Sequence, residues 1–250
     1  MKTEWDYTTL ANAYLKRPDY AISAIGSLLK KAGCGRGSAV CDIGAGVAHL
    51  TMMLADHGLR VTAVEPNDAM RTLGISRTSA LPAVHWVEST AENTKQPDSA
   101  FDLVTFGSSF NVTDRPLALK ETARILRSKG WFACMWNHRR LDDPIQQEIE
   151  AIIAAHIPGY DYGTRRQDQT DVINASGLFD KVEVIEGNVM HVQSVADCIE
   201  AWYSHGTLER QAGTQFPEIV ASIATFLRGL KRSSIDIPYQ TRIWAAQRIK

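Results

Sequence analysis

The chain has 250 residues, 44% of them hydrophobic and 22% charged, with a formal net charge of −1. That length and apolar content suit one α/β domain with a good core and a modest extra lobe. A near-neutral balance excludes the broad basic face of a nucleic-acid enzyme, and the short runs Lys30-Lys31, Arg139-Arg140, Arg165-Arg166 and Lys231-Arg232 read as solvated surface.

Taken in chain order, strand-like runs fall near 38–43, 60–65, 83–87, 101–106, 131–136, 181–186 and 239–248. Helical patterns separate the first five, which predicts an α/β fold with a parallel, doubly wound sheet. Three segments lie outside that core. The first is a helix pair over about 6–33, dense in aromatics, with Tyr7, Tyr14, Arg17, Pro18 and Tyr20. The second, 138–176, holds an amphipathic helix over 144–156 and a polar loop through Arg166. The third, 190–235, carries Trp202, Tyr203, His205 and a helix near 217–230. Loops beyond the carboxyl ends of parallel strands form the ligand crevice. The expectation is one domain over 1–250, with a cofactor core at 35–137 covered by the segments 1–34, 138–176 and 190–235. Simple packing is the alternative role for the aromatics of these segments.

No apolar run approaches the ~20 residues of a membrane span, and the start, Met1-Lys2-Thr3-Glu4-Trp5-Asp6, lacks the apolar stretch of a signal peptide. Cys34, Cys41, Cys134 and Cys198 have no metal-type spacing, and Cys41 and Cys134 fall in core strands. His49, His57, His85, His156 and His191 show no pairing with Cys or Glu at ligand spacing, so no metal is expected. A cytoplasmic protein, monomer or homodimer, with a small-molecule substrate and neither nucleic acid nor membrane as partner, fits these features.

The most informative stretch is Val40-Cys41-Asp42-Ile43-Gly44-Ala45-Gly46-Val47-Ala48-His49-Leu50-Thr51, a strand, a glycine turn and the start of a helix. Glycines at 44 and 46 let a ligand approach the backbone, and the helix presents free N–H groups. Glu65, closing the next apolar run, sits where a carboxylate accepts hydrogen bonds from both hydroxyls of a ribose. The combination describes a pocket for an adenosine-containing cofactor. A dinucleotide site wants Gly-x-Gly-x-x-Gly, and His49 occupies the third glycine's place, which disfavours a nicotinamide-dependent oxidoreductase.

The pattern Asp42-x-Gly44-x-Gly46 resembles motif I of the class I S-adenosylmethionine-dependent methyltransferases, of the small-molecule, type 11-like kind, with Ala48 at the family's third glycine. Further motifs follow in the family's order. Val64-Glu65-Pro66-Asn67-Asp68-Ala69-Met70 is similar to motif II, and Glu88-Ser89-Thr90-Ala91-Glu92 to the G-[DT]-A-E segment, with Ser89 for Gly. Ser99-Ala100-Phe101-Asp102-Leu103-Val104 matches the S-F-D-L-V strand, and the run from Leu117 to Trp131 matches the A-L-x-E-x-x-R-[VI]-L-[KR]-P-G-G helix and turn, with Ser128 for Pro. The resemblance implies a Rossmann-like, mostly parallel seven-stranded sheet whose sixth and seventh strands form an antiparallel hairpin. It also implies S-adenosyl-L-methionine as cofactor and S-adenosyl-L-homocysteine as product. The cofactor residues so implied are Asp42, Gly44, Ala45, Gly46, Glu65, Pro66, Met70, Thr90, Ala91, Glu92, Gly107 and Ser108.

Relatives place near-methyl residues just after the fourth strand, here Gly107-Ser108-Ser109-Phe110-Asn111-Val112. Many carry His-Trp where this chain has Asn111-Val112, and Asn orients a substrate but cannot act as a base. His138, after the fifth strand, and His205, beside Trp202 and Tyr203, are the base candidates, with ordinary packing or surface roles as the alternative. Tyr7, Tyr14, Arg17, Phe110, Trp202 and Tyr203 are the substrate candidates; Arg17 would suit a carboxylate. The reading is methyl transfer to an O or N atom of a small metabolite, against a degenerate cofactor-binding domain acting as a non-catalytic partner subunit.

Overall fold

The computed structural model describes residues 8–249. Its strands are β1 (Ala39–Ile43), β2 (Arg60–Val64), β3 (Val84–Val87), β4 (Phe101–Gly107), β5 (Leu126–Arg139), β6 (Glu183–Ser194) and β7 (Ser234–Gln247). Helices are α1 (Ala11–Tyr14), α2 (Ile22–Lys31), α3 (His49–Asp56), α4 (Asp68–Arg77), α5 (Arg115–Ile125), α6 (Pro144–His156), α7 (Thr170–Ala175), α8 (Val195–Trp202), α9 (Gly206–Ala212) and α10 (Phe216–Gly229). All seven strands form one sheet in the order β3-β2-β1-β4-β5-β7-β6. The pairs β3–β2, β2–β1, β1–β4 and β4–β5 are parallel, and β7 runs antiparallel between β5 and β6. The expected doubly wound sheet, Rossmann-like and mostly parallel with an antiparallel last strand, is the one observed.

Successive side chains of a strand face opposite sides, and this divides the core in two. Val40, Leu103 and Ala133 pack under α2 and α3, while Cys41, Ile43, Val104, Phe106 and Phe132 pack under α5 and α7. A third apolar cluster joins α6, α8, α9 and α10 to Ile235, Ile237 and Tyr239 on the first half of β7. Helices α5 and α6 start at side-chain caps: Asp114 and Asp143 accept backbone N–H bonds, from Leu117 and from Ile145 and Gln146 respectively.

Two expectations change. No helix joins β3 to β4; residues 88–100 run as a loop with a single bridge between Thr90 and Asn93. The buried Glu121 explains this, because its Oε1 accepts both the Thr94 N–H (2.8 Å) and the Thr94 hydroxyl (2.5 Å), pinning the segment in an irregular path. The last two strands are also longer than the sequence suggests, paired residue by residue from Glu183↔Ala245 to Ser194↔Ser234. Residues 190–194 and 234–235 therefore belong to this hairpin and not to a covering insertion. Pro238, which lacks a ladder N–H, hides the start of β7, although Ile235, Ile237, Tyr239 and Thr241 keep a strict buried alternation.

Gly74 lets α4 lie directly on the glycine turn. A Cβ there would meet Trp86 Cη2 at 2.2 Å and the Gly46 carbonyl oxygen at 2.9 Å. Helix propensity favours Ala at this position by about 1 kcal/mol, but overpacking costs about 1–3 kcal/mol. Gly74→Ala is expected to lower the urea midpoint; an unchanged or higher midpoint would show that the helix does not bear on the turn.

Candidate functional site

The strand order reverses between β1 and β4, and the crevice of such a sheet opens there, at the carboxyl ends. The turn after β1 is left-handed at three places, Gly44 (φ +68°), Gly46 (φ +56°) and Ala48 (φ +75°). The N–H groups of Gly44 and Ala45 both donate to the Val64 carbonyl (2.8 and 3.0 Å), tying this turn to the end of β2. Gly44 is demanded by the protein's own packing rather than by ligand approach, since a Cβ would lie 2.4 Å from Ser109 Cβ. Gly46 is open, with nothing nearer its absent Cβ than Met70 Cε at 3.5 Å.

Glu65 is 7% exposed. Its Oε2 accepts the Gly46 N–H and its Oε1 the Asn67 N–H, each at 2.8 Å. Burial pushes its carboxyl up, against the pull of those two bonds. Asn67 in turn caps α4, its Oδ1 accepting the Met70 N–H at 3.0 Å. Asp42 is fully buried beneath the turn; the Thr51 hydroxyl donates to Oδ2 (2.6 Å) and the Thr105 hydroxyl to Oδ1 (3.0 Å). Burial raises its pKa from 3.8 to about 6, with both hydroxyls opposing.

These groups border a cavity of about 790 Å³. All twelve positions that the resemblance marks for the cofactor, from Asp42 to Ser108, line its core end. Ser108 stands at φ +59° with its Oγ 2.9 Å from the Tyr20 hydroxyl. Tyr14, Lys16, Arg17 and Pro18 form one wall, and the Arg17 guanidinium lies 3.8 Å over the Tyr14 ring and donates to Ser204 Oγ (3.1 Å) and O (2.6 Å). The far end is built by Asn137, His138 and Arg139 from β5, Tyr162, Arg165 and Arg166 from the loop after α6, Ser204 and His205 after α8, and Tyr239 from β7.

The substrate candidates divide. Tyr14 and Arg17 line the cavity, and Tyr7 lies outside the described residues. Phe110 does not reach it: the ring is fully buried, 5.3 Å from Phe106 and 5.4 Å from Phe132 between centroids. Trp202 lies behind the wall in the helical lobe's core, and the exposed Tyr203 turns away to the edge of Phe216. Phe110 is taken up by the sheet core, and Trp202 and Tyr203 by the helical lobe.

The base candidates line the cavity but are poorly suited to the role. Burial, reinforced by Arg166, Arg165 and Arg242, lowers His138 to about 3, so its neutral ring takes up a proton weakly. His205 is stacked 5.3 Å over Trp202, its Nδ1 faces the Leu208 N–H at the start of α9, and burial with the neighbouring arginines holds it well below the usual range. Asn111 Oδ1 accepts the Trp136 indole N–H at 3.0 Å.

Arg139, Arg165 and Arg166 correct an expectation, since their sequence pairs read as solvated surface. Arg139 follows its strand's alternation inward over Trp202 (4.0 Å), while Arg140 turns out to Asp142. Arg165 and Arg166 lie over the Tyr162 ring at 5.5 and 4.2 Å. The available signal was the neighbouring Tyr160 and Tyr162, which give guanidinium groups flat apolar faces to rest on.

The profile of the Methyltransferase domain family matches residues 41–134. An uncharacterized methyltransferase of Mycobacterium tuberculosis is 37% identical over 123 residues, 49% of this chain and 48% of the relative. A demethylmenaquinone methyltransferase of Staphylococcus haemolyticus is 34% identical over 104 residues, 40% of this chain and 43% of the relative. The chain thus spans about half the length of the curated relatives it matches. Among solved structures, the YcgJ protein of Bacillus subtilis shares the fold at TM-score 0.57 and 16% identity, covering 91% of this chain and 99% of that one. A phosphoethanolamine N-methyltransferase of Haemonchus contortus, solved with phosphomonomethylethanolamine and S-adenosylhomocysteine, shares it at TM-score 0.53 and 15% identity, covering 91% of this chain and 52% of that one.

Asp42 gives the pocket a pH signature. Its folded pKa lies above the unfolded value, so the associated stability is complete below pH 3.8 and is lost as pH rises through about 6. The loss is on the order of 3 kcal/mol. Asp42→Asn keeps the shape and removes the titration. Urea denaturation of both proteins across this window should show the variant gaining on the wild type as pH rises; a constant difference would mean that Asp42 ionises normally.

Proposed function

We propose that this chain, whose residues 41–134 match the Methyltransferase domain family, is a class I S-adenosylmethionine-dependent methyltransferase that moves a methyl group to an oxygen or nitrogen atom of a small metabolite. The observation that carries the reading is the single cavity of about 790 Å³ that starts at the Gly46 turn and Glu65 and ends among the polar side chains of the helical lobe. Its volume suits a cofactor and a small acceptor together, and it is walled by the 14–20 segment rather than open as a groove for a polymer.

The residues at the core end fit the cofactor. Gly46 leaves a space that a Cβ would begin to fill, and each oxygen of Glu65 retains a lone pair beyond its backbone bond, for the two ribose hydroxyls. Met70 and Ala91 offer apolar contact for the adenine, beside the Thr90 hydroxyl. Bound there, S-adenosylmethionine supplies an electrophilic methyl on a sulfonium and leaves as S-adenosylhomocysteine. The chain's own part is to exclude water and align the acceptor, which can supply much of the acceleration of a displacement. Asn111, with its Oδ1 held by Trp136, has its N–H donors for orienting the acceptor. His138, neutral throughout the physiological range, serves as a hydrogen-bond partner and not as a strong base. A reducing cytoplasm suits the four free cysteines, Cys34, Cys41, Cys134 and Cys198.

Calorimetric titration should give micromolar S-adenosylhomocysteine binding and none of NAD; binding of NAD alone would overturn the reading, and binding of neither would favour a degenerate domain. Glu65→Ala should weaken S-adenosylhomocysteine by on the order of 1–3 kcal/mol in a protein that still unfolds cooperatively. Unchanged affinity would remove Glu65 from the ribose.

A further inference from the structure

Among the described residues, the lobe end of the cavity gathers three guanidinium groups that make no ion pair with an acid. Arg124, Arg127, Arg140 and Arg242 are matched to acids, Glu121, Asp102, Asp142 and Glu186 respectively, while Arg17, Arg60, Arg77 and Arg248 donate to neutral oxygens. Among the described residues Arg139, Arg165 and Arg166 rest on aromatic faces, and their hydrogen bonds go to neutral groups: Arg166 Nη2 donates to the Arg139 carbonyl (3.2 Å), and Arg165 Nη2 lies 2.9 Å from His205 Nε2. That last contact is a weak one, because a neutral imidazole has one acceptor nitrogen and the Leu208 N–H already faces the other ring nitrogen, Nδ1. The Nε–H groups of both Arg165 and Arg166 are buried and make no hydrogen bond. The Glu150 carboxylate, which accepts from the Tyr162 hydroxyl, acts on Arg166 through space but makes no ion pair with it among the described residues.

Buried charges are ordinarily paired, and an unmatched guanidinium group in a cavity is a binding site for an oxyanion. We infer that the methyl acceptor is an anion, whose carboxylate or phosphate docks on Arg139, Arg165 and Arg166 while its reacting atom points toward Ser108 and Asn111. The claim that this anion is the acceptor rests on the methyltransferase reading; the anion site itself does not. Burial and the surrounding like charges lower Arg165 to about 10, in keeping with a guanidinium that lacks its counter-ion. Arg17 reaches the same end of the cavity, but its guanidinium is engaged by Ser204 Oγ and O.

The test uses the full chain saturated with S-adenosylhomocysteine. Inorganic phosphate and, separately, acetate are titrated at fixed ionic strength against chloride, with the melting temperature as readout. One of the two should raise it beyond chloride, and which one does tells a phosphate from a carboxylate acceptor. Arg165→Met and Arg166→Met should each weaken that response by about tenfold or more, Arg165→Lys should restore part of it, and S-adenosylhomocysteine affinity should stay unchanged in all three. A wild-type response no greater than to chloride overturns the inference. So does an equal response in the folded variants, or a tenfold loss of S-adenosylhomocysteine affinity in Arg165→Met, which would give the guanidinium to the cofactor. If the wild type fails to bind S-adenosylhomocysteine, the methyltransferase reading falls, and the same anion titration on the free chain still decides the oxyanion site.

Discussion

The pocket depends on one carboxylate and two backbone N–H groups. Glu65 ends β2, yet its side chain bonds the turn after β1 through Gly46 and the start of α4 through Asn67. The turn after β1 and the connection from β2 to α4 are thereby fixed together at the point where the strand order reverses. A buried carboxylate is costly unless hydrogen-bonded, so the same pairing that makes Glu65 tolerable holds the turn in shape. The Arg77 guanidinium adds a brace, donating to the Val47 carbonyl at 2.6 Å. Ala48 sits in a left-handed conformation that costs an L-residue about 1–2 kcal/mol, and this network is what sustains it.

The far side of the cavity is set by a different constraint, the length of β7. Its second half completes the sheet against β5, and its first half carries Ile235, Ile237 and Tyr239 into the lobe of α6, α8, α9 and α10. Because one strand belongs to both cores, the lobe is held at a defined distance from the glycine turn. The 14–20 segment crosses between them. His49, at the start of α3, is tied to Asp19 (2.8 Å) and to the Tyr14 carbonyl (2.9 Å), while Arg17 reaches Ser204 at the end of α8. The cavity is thus closed by bonds running from the nucleotide-type core, through the amino-terminal segment, to the lobe.

What was legible in the sequence follows from the range of the interactions involved. Asp42, Gly44, Gly46 and Glu65 announce themselves because backbone conformation and a neighbouring strand fix their roles within a few residues. The apolar runs of β1, β2, β4 and β5 are equally local. Phe110, Trp202 and Tyr203 were misjudged for the opposite reason: an aromatic ring packs on whatever surface the fold brings near, and nothing in the local sequence says whether that is a core or a cavity. The arginines failed in the same way. Arg139-Arg140 and Arg165-Arg166 look like solvated pairs until the fold shows that, among the described residues, three of the four make no ion pair with an acid. The helix missing between β3 and β4 was likewise decided at long range, by Glu121 from α5.

The charge distribution along the cavity argues for a directional site. Its core end holds two buried carboxylates, Asp42 and Glu65, and its lobe end holds Arg139, Arg165 and Arg166. Coulomb energies grow as the effective dielectric falls, so opposed clusters in an enclosed space act more strongly than they would at a surface. A cationic ligand is drawn to the first end and an anionic one to the second, and each ligand would be repelled from the other's place. The low basicity of His138 follows first from its burial, with the nearby Arg166, Arg165 and Arg242 guanidinium groups further disfavouring its protonation. A side chain in that field serves poorly as a proton acceptor. Under the proposed function, orientation by charge rather than proton removal by a resident base would bring the acceptor to the methyl.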